Sequence, residues 1–583
     1  MRSNNPLVQI IINMSIVESS ENQTQNLYLF TFVSLPAFLL CIWPNRFLAL
    51  ATAAFILIGI GYQITTRQFK PSFALTALLI LFTGSSILGM WAAYQPNQAL
   101  TKLQILIVAV LLALFLSNSK VAHSIISAHL AIGSVLFASA FLAILAFNID
   151  QGELLTPNRL AGLIVILAPF LVFSFFNSDS KLFRTLILGG SLVILAALLA
   201  SGSRGGITSL ILGVALWGVF MGRLKFISEK YTKPAVALTL MGLVGLGTLG
   251  LFIVERLENS SIKIIPGSGS RLTLYSNLKH LIPDYWLLGG GLNSFSGQYS
   301  QYVLSIPHLR FTYGHNLYFD LILEQGIVGF ISFSMLIIAT IVLLLIQPIE
   351  SLAMKDRSFA GAILASLTAF ILHGFIDDAI YSNAGSTMLF IAPALAFSLP
   401  NRQEAIGLIR KINFVALIGI IVFAAVFNRK VISTWHANLA AIEMAKIQLA
   451  DWPTGEWSRG ETVSELKSLA ANFELALEND RQNSSALYRL GLISMEKHDF
   501  SKAAEYFAQA HALKSSHIGI SKNLGYALLW SGKPDEAQVY LNNVEGIRNE
   551  LDAYIWWWQS LDRPDLSDIA KTFQSSGKLS AGS

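Results

Sequence analysis

The stretch TLILGGSLVILAALLASGSRGGITSLILGVALWGVFMG, residues 185–222, decides the fold. Two apolar runs, 185–201 and 206–222, stand back to back with only Gly202-Ser203-Arg204-Gly205 between them. A bilayer core about 30 Å thick takes about 20 mostly apolar residues per helix, so each run reads as a span and the polar break as a tight return. Runs of this kind recur at 27–43, 47–63, 72–94, 101–117, 121–147, 160–176, 234–254, 327–347, 358–377, 384–400 and 412–427, about thirteen in all. The fold class expected is all-α: a polytopic transmembrane bundle of about 12 to 13 spans, with a soluble helical domain at the C-terminal end. Composition agrees, because 54% of the 583 residues are hydrophobic and 13% charged, against about 25% charged in an average soluble domain.

The domain reading is 1–26 as a polar N-terminal segment without a cleavable signal, 27–430 as the membrane domain, and 431–583 as the soluble domain. The formal net charge of +5 does not indicate nucleic acid, since Lys and Arg lie between apolar runs rather than on one face. They set orientation instead. With the N-terminus inside, the inner short loops hold 14 Lys and Arg, among them Arg67, Lys181, Arg223, Lys355 and Arg410, and the outer ones hold 4: Arg46, Lys102, Arg159 and Arg204. Thirteen spans then put the long segment 255–326 and the C-terminal domain on the outer side. The single cysteine, Cys41, excludes an internal disulfide and reads as a small buried hydrophobe.

Beyond residue 431 the apolar residues fall to helical spacing and repeat at a separation of 34: Leu490-Gly491 as Leu524-Gly525, Ala503 as Ala537, Tyr506 as Tyr540, and Ala470, Phe473, Ala476 as Ala504, Phe507, Ala510. This period resembles tetratricopeptide repeats, stacked helix pairs with a concave face that holds peptides. Trp556, Trp557 and Trp558 are expected to cap the last repeat or meet the membrane interface.

Candidate chemistry gathers on the outer side. An arginine at the mouth of a span is costly unless it meets water, a lipid phosphate or a bound anion. Arg204, following Ser203 and flanked by Gly202, Gly205 and Gly206, has room for a phosphate to approach its guanidinium and nearby N–H groups. Arg271 follows Ser270 at the start of a helix-compatible run that Pro283 should stop, a second place for an anion. His315, before Asn316 and the apolar stretch 317–323, is the best-suited proton acceptor on this side, with His308 and His280 weaker candidates. His373, Asp377 and Asp378 close the span at 358–377, and no pattern of metal ligands is seen.

Taken in order, Pro157-Asn158-Arg159-Leu160-Ala161 opening one span, Gly-Ser-Arg-Gly-Gly between two, and a long outer segment with Ser270-Arg271, ending in His315-Asn316 and then Glu324-Gln325-Gly326, resemble the O-antigen ligase family over roughly residues 150–400. That family includes O-antigen ligases, O-antigen polymerases and bacterial O-oligosaccharyltransferases. The resemblance implies transfer of a glycan from undecaprenyl-diphosphate to an acceptor hydroxyl, on lipid A-core or on a protein, at the periplasmic face of the bacterial inner membrane, with no cofactor, metal or nucleotide sugar. It implies Arg204 and Arg271 as diphosphate ligands, His315 as proton acceptor, and Asn158, Arg159, Ser203, Asn316, His373 and Asp377 as supporting substrate-binding groups. Membrane lipids, and a protein partner on the repeats, complete the expected partners. A polymerase passing the chain to a second carrier-linked unit fits the same motif order. A transporter or flippase does not call for polar residues clustered at one face, and no duplicated half is seen.

Overall fold

Short polar or proline-bearing breaks divide the apolar runs into helices whose ends are capped locally. In the computed structural model, which describes residues 6–119, 121–147, 157–223, 271–303, 313–346, 353–383, 385–400, 403–450, 452, 460–542, 544 and 546–576, regular structure is helical and no strand occurs among the described residues. The membrane part comprises α1 (Pro6–Ile42), α2 (Arg46–Thr65), α3 (Phe73–Ala92), α4 (Pro96–Ser117), α5 (His123–Ala146), α6 (Pro157–Asn177), α7 (Lys181–Ser201) and α8 (Arg204–Arg223). It continues with α9 (Arg271–Tyr285), α10 (Phe295–Val303), α11 (Leu317–Ile346), α12 (Met354–Gly374), a 3-10 turn at Gly385–Met388, α13 (Ile391–Ser398) and α14 (Gln403–Val426). Asn45 caps α2 by accepting from the Leu48 N–H at 2.9 Å, and Ser180 caps α7 through the Phe183 N–H at 3.3 Å. Gly202 ends α7 in the left-handed region at φ 61°, which an L side chain adopts only with strain.

Among the described residues, ten helices are long and apolar enough to cross a membrane. The expected span at 206–222 lies in α8, where the described apolar part is Arg204–Leu216, and the one at 234–254 falls outside the described residues. The expected regular span at 384–400 is corrected. This stretch is a 3-10 turn followed by an eight-residue helix, buried along almost its whole length against α4 and α11. Irregular backbone at membrane depth requires such burial and internal partners. Here the Ser386 hydroxyl donates to the Tyr381 and Ser382 carbonyls at 2.9 and 2.7 Å, and the Ser382 hydroxyl donates to Ala379 O at 2.6 Å. Gly385 lies so close to the Ala379 carbonyl that a Cβ has no room.

The centre of the bundle is α6, buried from Arg159 to Ser174 apart from Val172, which is partly exposed, with α5, α8 and α12 around it. At the far edge α14 exposes Phe414, Val415, Ile421 and Phe423, the surface of a helix that faces lipid. One end of the bundle carries the pairs His123–Asp356 and Asn177–Ser358. The other gathers Arg159, Arg204, His315 and Asp377.

α14 runs directly into the C-terminal helical part, α15 (Asn428–Gln448), α16 (Gly460–Asn479), α17 (Ser484–Glu496), α18 (Phe500–Leu513), α19 (Ile518–Trp530), α20 (Pro534–Leu541), α21 (Ile547–Ser560) and α22 (Pro564–Ser575). Helices that follow one another in sequence pack together as pairs. Gly491 admits Phe507 and, 34 residues on, Gly525 admits Leu541, so the sequence period marks equivalent close approaches between paired helices. Of the tryptophan triplet, Trp558 is buried against Trp530 and Tyr554, while Trp556 is exposed.

The C-terminal helical domain is fastened to α9 and the residues just beyond it. The Arg489 guanidinium on α17 meets Asp284 on α9 at 3.0 Å with both side chains about 4% exposed, and it also donates to the Tyr285 hydroxyl at 3.2 Å. Asn438 on α15 donates to Asp284 O at 2.6 Å and accepts from the Leu287 N–H at 3.0 Å. The domain therefore lies at the same end of the bundle as His315. The helix expected to stop at Pro283 runs on to Tyr285, because a proline in the last turn leaves most of the preceding hydrogen bonds intact.

Candidate active site

His315 sits just ahead of α11 with φ 52°, a left-handed conformation rare for a residue with a side chain. Three contacts hold it there. The Gly314 N–H donates to both carboxylate oxygens of buried Asp320, at 2.9 and 3.2 Å. The Asn316 side chain caps α11 by accepting from the Tyr318 and Phe319 N–H groups, and donates to Phe375 O at 3.2 Å. From α9, the Tyr275 hydroxyl reaches the carbonyls of His315, at 2.7 Å, and Phe375, at 3.1 Å. Strain kept in place by this many partners points to a position that must present one side chain in one direction.

That side chain has its Nδ1 3.2 Å from Asp377 Oδ2. Asp377 is 1% exposed and its other oxygen accepts from the Ala379 N–H at 3.0 Å, whereas His315 is 28% exposed. A buried carboxylate thus orients an imidazole that remains open on its other edge. Tyr313 packs edge-on to His315 with ring centroids 4.6 Å apart, and the Arg159 guanidinium lies 5.1 Å from the Tyr313 centroid, within reach of a cation–π contact.

The remaining candidates fall around this group. Asn158 and Arg159 form the first turn of α6, with Arg159 buried and within electrostatic reach of Asp378. His373 is buried at the end of α12 against Gly162, where a Cβ would stand 3.1 Å from its Nε2. Ser203 is buried and caps α8 by accepting from the Gly206 N–H at 3.3 Å. Arg204 is exposed in the first turn of that helix. The space at Gly205 and Gly206, expected to admit a phosphate, is filled by the protein: a Cβ would stand 2.8 Å from Ile376 at the first and 2.7 Å from Ala161 at the second. These glycines bring α8 against α6 and the Asp377 loop, and so bring Arg204 to the site. Arg271 is the first residue of α9, one turn before Tyr275. Its side chain, together with Ser270 and His308, lies outside the described residues. His280 is placed away from His315, beside Ser516 and His517 of the helical domain.

A second buried polar group adjoins the first; Glu324 and Gln325 stand in the motif read from sequence, whereas Lys102 is counted there as an outer-loop cation and Asp320 is not singled out. Lys102 on α4 pairs with Glu324 on α11 at 2.7 Å and lies 3.9 Å from the Tyr381 ring centroid. The other Glu324 oxygen accepts from the Asn293 N–H at 3.1 Å. Gln325 donates to the Tyr381 hydroxyl at 2.8 Å and accepts from Ser85 and Ser86. Two signals bore on these residues, though not on their pairing: Lys102, counted above with the outer loops, stands at the start of an apolar run and is buried within α4, and Asp320 and Glu324 share a helix face at i, i+4 ahead of Gly326. Gly326, at φ 67°, breaks α11, and the Gly290 and Gly291 N–H groups take the freed carbonyls of Leu323 and Glu324 at 2.6 and 3.3 Å.

Fold and site define a polytopic membrane protein with a histidine–carboxylate pair and flanking arginines at one end of the bundle. Residues 189–334 match the family model described as O-antigen ligase, a segment that contains Arg204, Arg271 and His315. No curated protein matches the chain. The family match supports a glycosyl-transferring membrane enzyme of ligase or polymerase type.

Proposed function

We propose that the protein transfers a glycan from undecaprenyl-diphosphate to an acceptor hydroxyl at the periplasmic face of the bacterial inner membrane. The observation that carries this reading is the oriented, partly open imidazole of His315 on buried Asp377, within the segment that matches the family. Asp377 accepts the Nδ1 proton and leaves Nε2 as the basic edge. Nε2 takes the acceptor hydroxyl's proton as its oxygen bonds to the anomeric carbon. The bond from that carbon to the diphosphate oxygen breaks in line on the opposite face, inverting the centre, and its electron pair leaves with the diphosphate. Arg204 and Arg271 neutralise the charge that grows there, and fixed cations act most strongly at such developing charge. The diphosphate is a good leaving group without protonation, so a single general base serves.

Asn158, Arg159, Ser203, Asn316 and His373 maintain the walls and helix termini that position these groups. The C-terminal helix pairs, read as tetratricopeptide-like repeats, favour a protein acceptor or assembly partner, because stacked pairs present an extended concave surface. A second carrier-linked unit as acceptor makes the protein a polymerase.

Glycan profiling of a deletion strain complemented with wild type or with His315→Ala tests the reading. At equal abundance of protein, the variant should lose transfer by about 100-fold or more. Normal glycans on that variant would end the proposal, and assays with lipid A-core, a pilin-like peptide or a carrier-linked repeat unit separate the acceptors.

A further inference from the structure

Where the last membrane helix passes into the helical domain, the chain leaves a cleft open to solvent. Its floor and walls come from Phe423 and Phe427 at the end of α14, Trp286 just beyond α9, Lys430 on α15, Lys514 beyond α18 and Ser485 on α17. The aromatic side belongs to the helix that faces lipid, so the cleft continues the membrane surface. The polar side carries two lysines against one carboxylate, Asp480, which already accepts from the Gln482 N–H at 3.0 Å. Ser485 is buried in the first turn of α17, and its hydroxyl has no hydrogen-bond partner. The Asn483 side chain takes the Ala486 N–H of that turn, while the start of the helix still presents a partial positive charge to the cleft.

An orphaned buried hydroxyl, a helix N-terminus and two lysines call for an anion, and the adjoining phenylalanines call for a chain of methylenes. We propose that the cleft holds an anionic phospholipid of the surrounding bilayer, with its phosphate toward Lys430, Lys514 and Ser485 and an acyl chain along Phe423 and Phe427. Pro283, which also lines the cleft, lies eight residues along α9 from Tyr275, about 12 Å of helix rise. The site is therefore separate from the imidazole at His315, and the bound lipid fastens the helical domain to the membrane surface without taking part in transfer.

Full-length protein in nanodiscs of phosphatidylcholine, with or without phosphatidylglycerol, gives the test by native mass spectrometry after mild delipidation. Wild type should retain phosphatidylglycerol in preference to phosphatidylcholine. Lys430→Gln with Lys514→Gln should lower that retention roughly thirty-fold, the product of two lysines near a charged headgroup. Ser485→Val should lower it about ten-fold, while Lys497→Gln, a lysine elsewhere on the domain, should leave it unchanged. Unaltered melting in phosphatidylcholine alone shows that each variant is folded, and Ser485→Val carries the test if the lysine pair is not. Equal retention by wild type and the folded variants, or equal retention of both lipids, overturns the proposal. So does stabilisation by inorganic phosphate alone that matches phosphatidylglycerol. No transfer is measured, so failure of the transferase reading leaves this result standing.

Discussion

The distance that matters most at the scale of single residues is the 3.2 Å between His315 Nδ1 and Asp377 Oδ2. An amide in place of the carboxylate would offer N–H to Nδ1 and drive the imidazole proton onto Nε2, the edge that must receive one. Asp377→Asn should therefore lower single-turnover transfer about 10²- to 10⁴-fold while binding of the carrier-linked donor stays near wild type. A variant with wild-type turnover would show that the carboxylate does not set the tautomer. His315 and Asp377 were legible in sequence because ionisable groups at the end of an apolar run stand out. The pairing of Lys102 with Glu324 was not, since 222 positions separate them and nothing local reports the contact. Asp320 was hidden for another reason. Its task is to hold the Gly314 N–H, a backbone duty that its i, i+4 spacing from Glu324 does not report.

At the scale of elements, the break in α11 depends on one residue. Gly326 combines φ 67° and ψ −167° with backbone atoms of Leu288 and Gly289 2.6 Å from where a Cβ would stand. Gly326→Ala should cost about 1–3 kcal/mol from backbone conformation alone, and more from the collision. Thermal melting in detergent checks this, and an unshifted melt would show that the turn relaxes freely. The spans themselves were readable because a bilayer demands length and apolarity, but 384–400 meets both demands and still is not a regular helix. What separates it is the way Gly385 and the serines at 382 and 386 accept close neighbours, a property of the packed bundle.

A second element carries a pH dependence. His517 caps α19 by accepting from the Ile520 N–H at 3.1 Å, and burial, helped by His280 and Lys514, pulls its pKa down to about 3 from the ordinary 6.5. Below pH 6.5 the unfolded chain binds a proton that the folded chain refuses. Stability present above that pH is therefore lost as the pH falls toward 3, by about 1.4 kcal/mol per unit at most. Tryptophan fluorescence during urea unfolding of the full chain between pH 7 and 5 should show this decline. His517→Asn, which keeps a capping oxygen without the proton site, should flatten it; an equal slope in both would assign the effect to other groups.

Across the whole molecule, the pair Arg489–Asp284 ties the motion of the helical domain to that of α9. Removing one member of a buried pair leaves an uncompensated charge at about 3–5 kcal/mol, whereas replacing both with apolar groups is often neutral. Arg489→Met should accordingly loosen the domain and raise hydrogen exchange in α9. Adding Asp284→Leu should restore protection, and a single variant that protects α9 as well as wild type would show that other contacts suffice. The domain's helical period was legible from the 34-residue recurrence. Its place beside His315 was not, because the clamp joins residues 205 positions apart.

The broken, buried passage between α12 and α14 bears on how the protein is made. A continuous apolar helix carries its backbone hydrogen bonds with it and can slide from the translocon into lipid unaided. Residues 375–400 cannot, for much of their polar backbone finds partners only in turns closed by their own serines and sheltered by α4 and α11. The segment therefore relies on α4 and α11 for the slot that shelters it, so the position of Asp377 at its start depends on how well those two helices are seated.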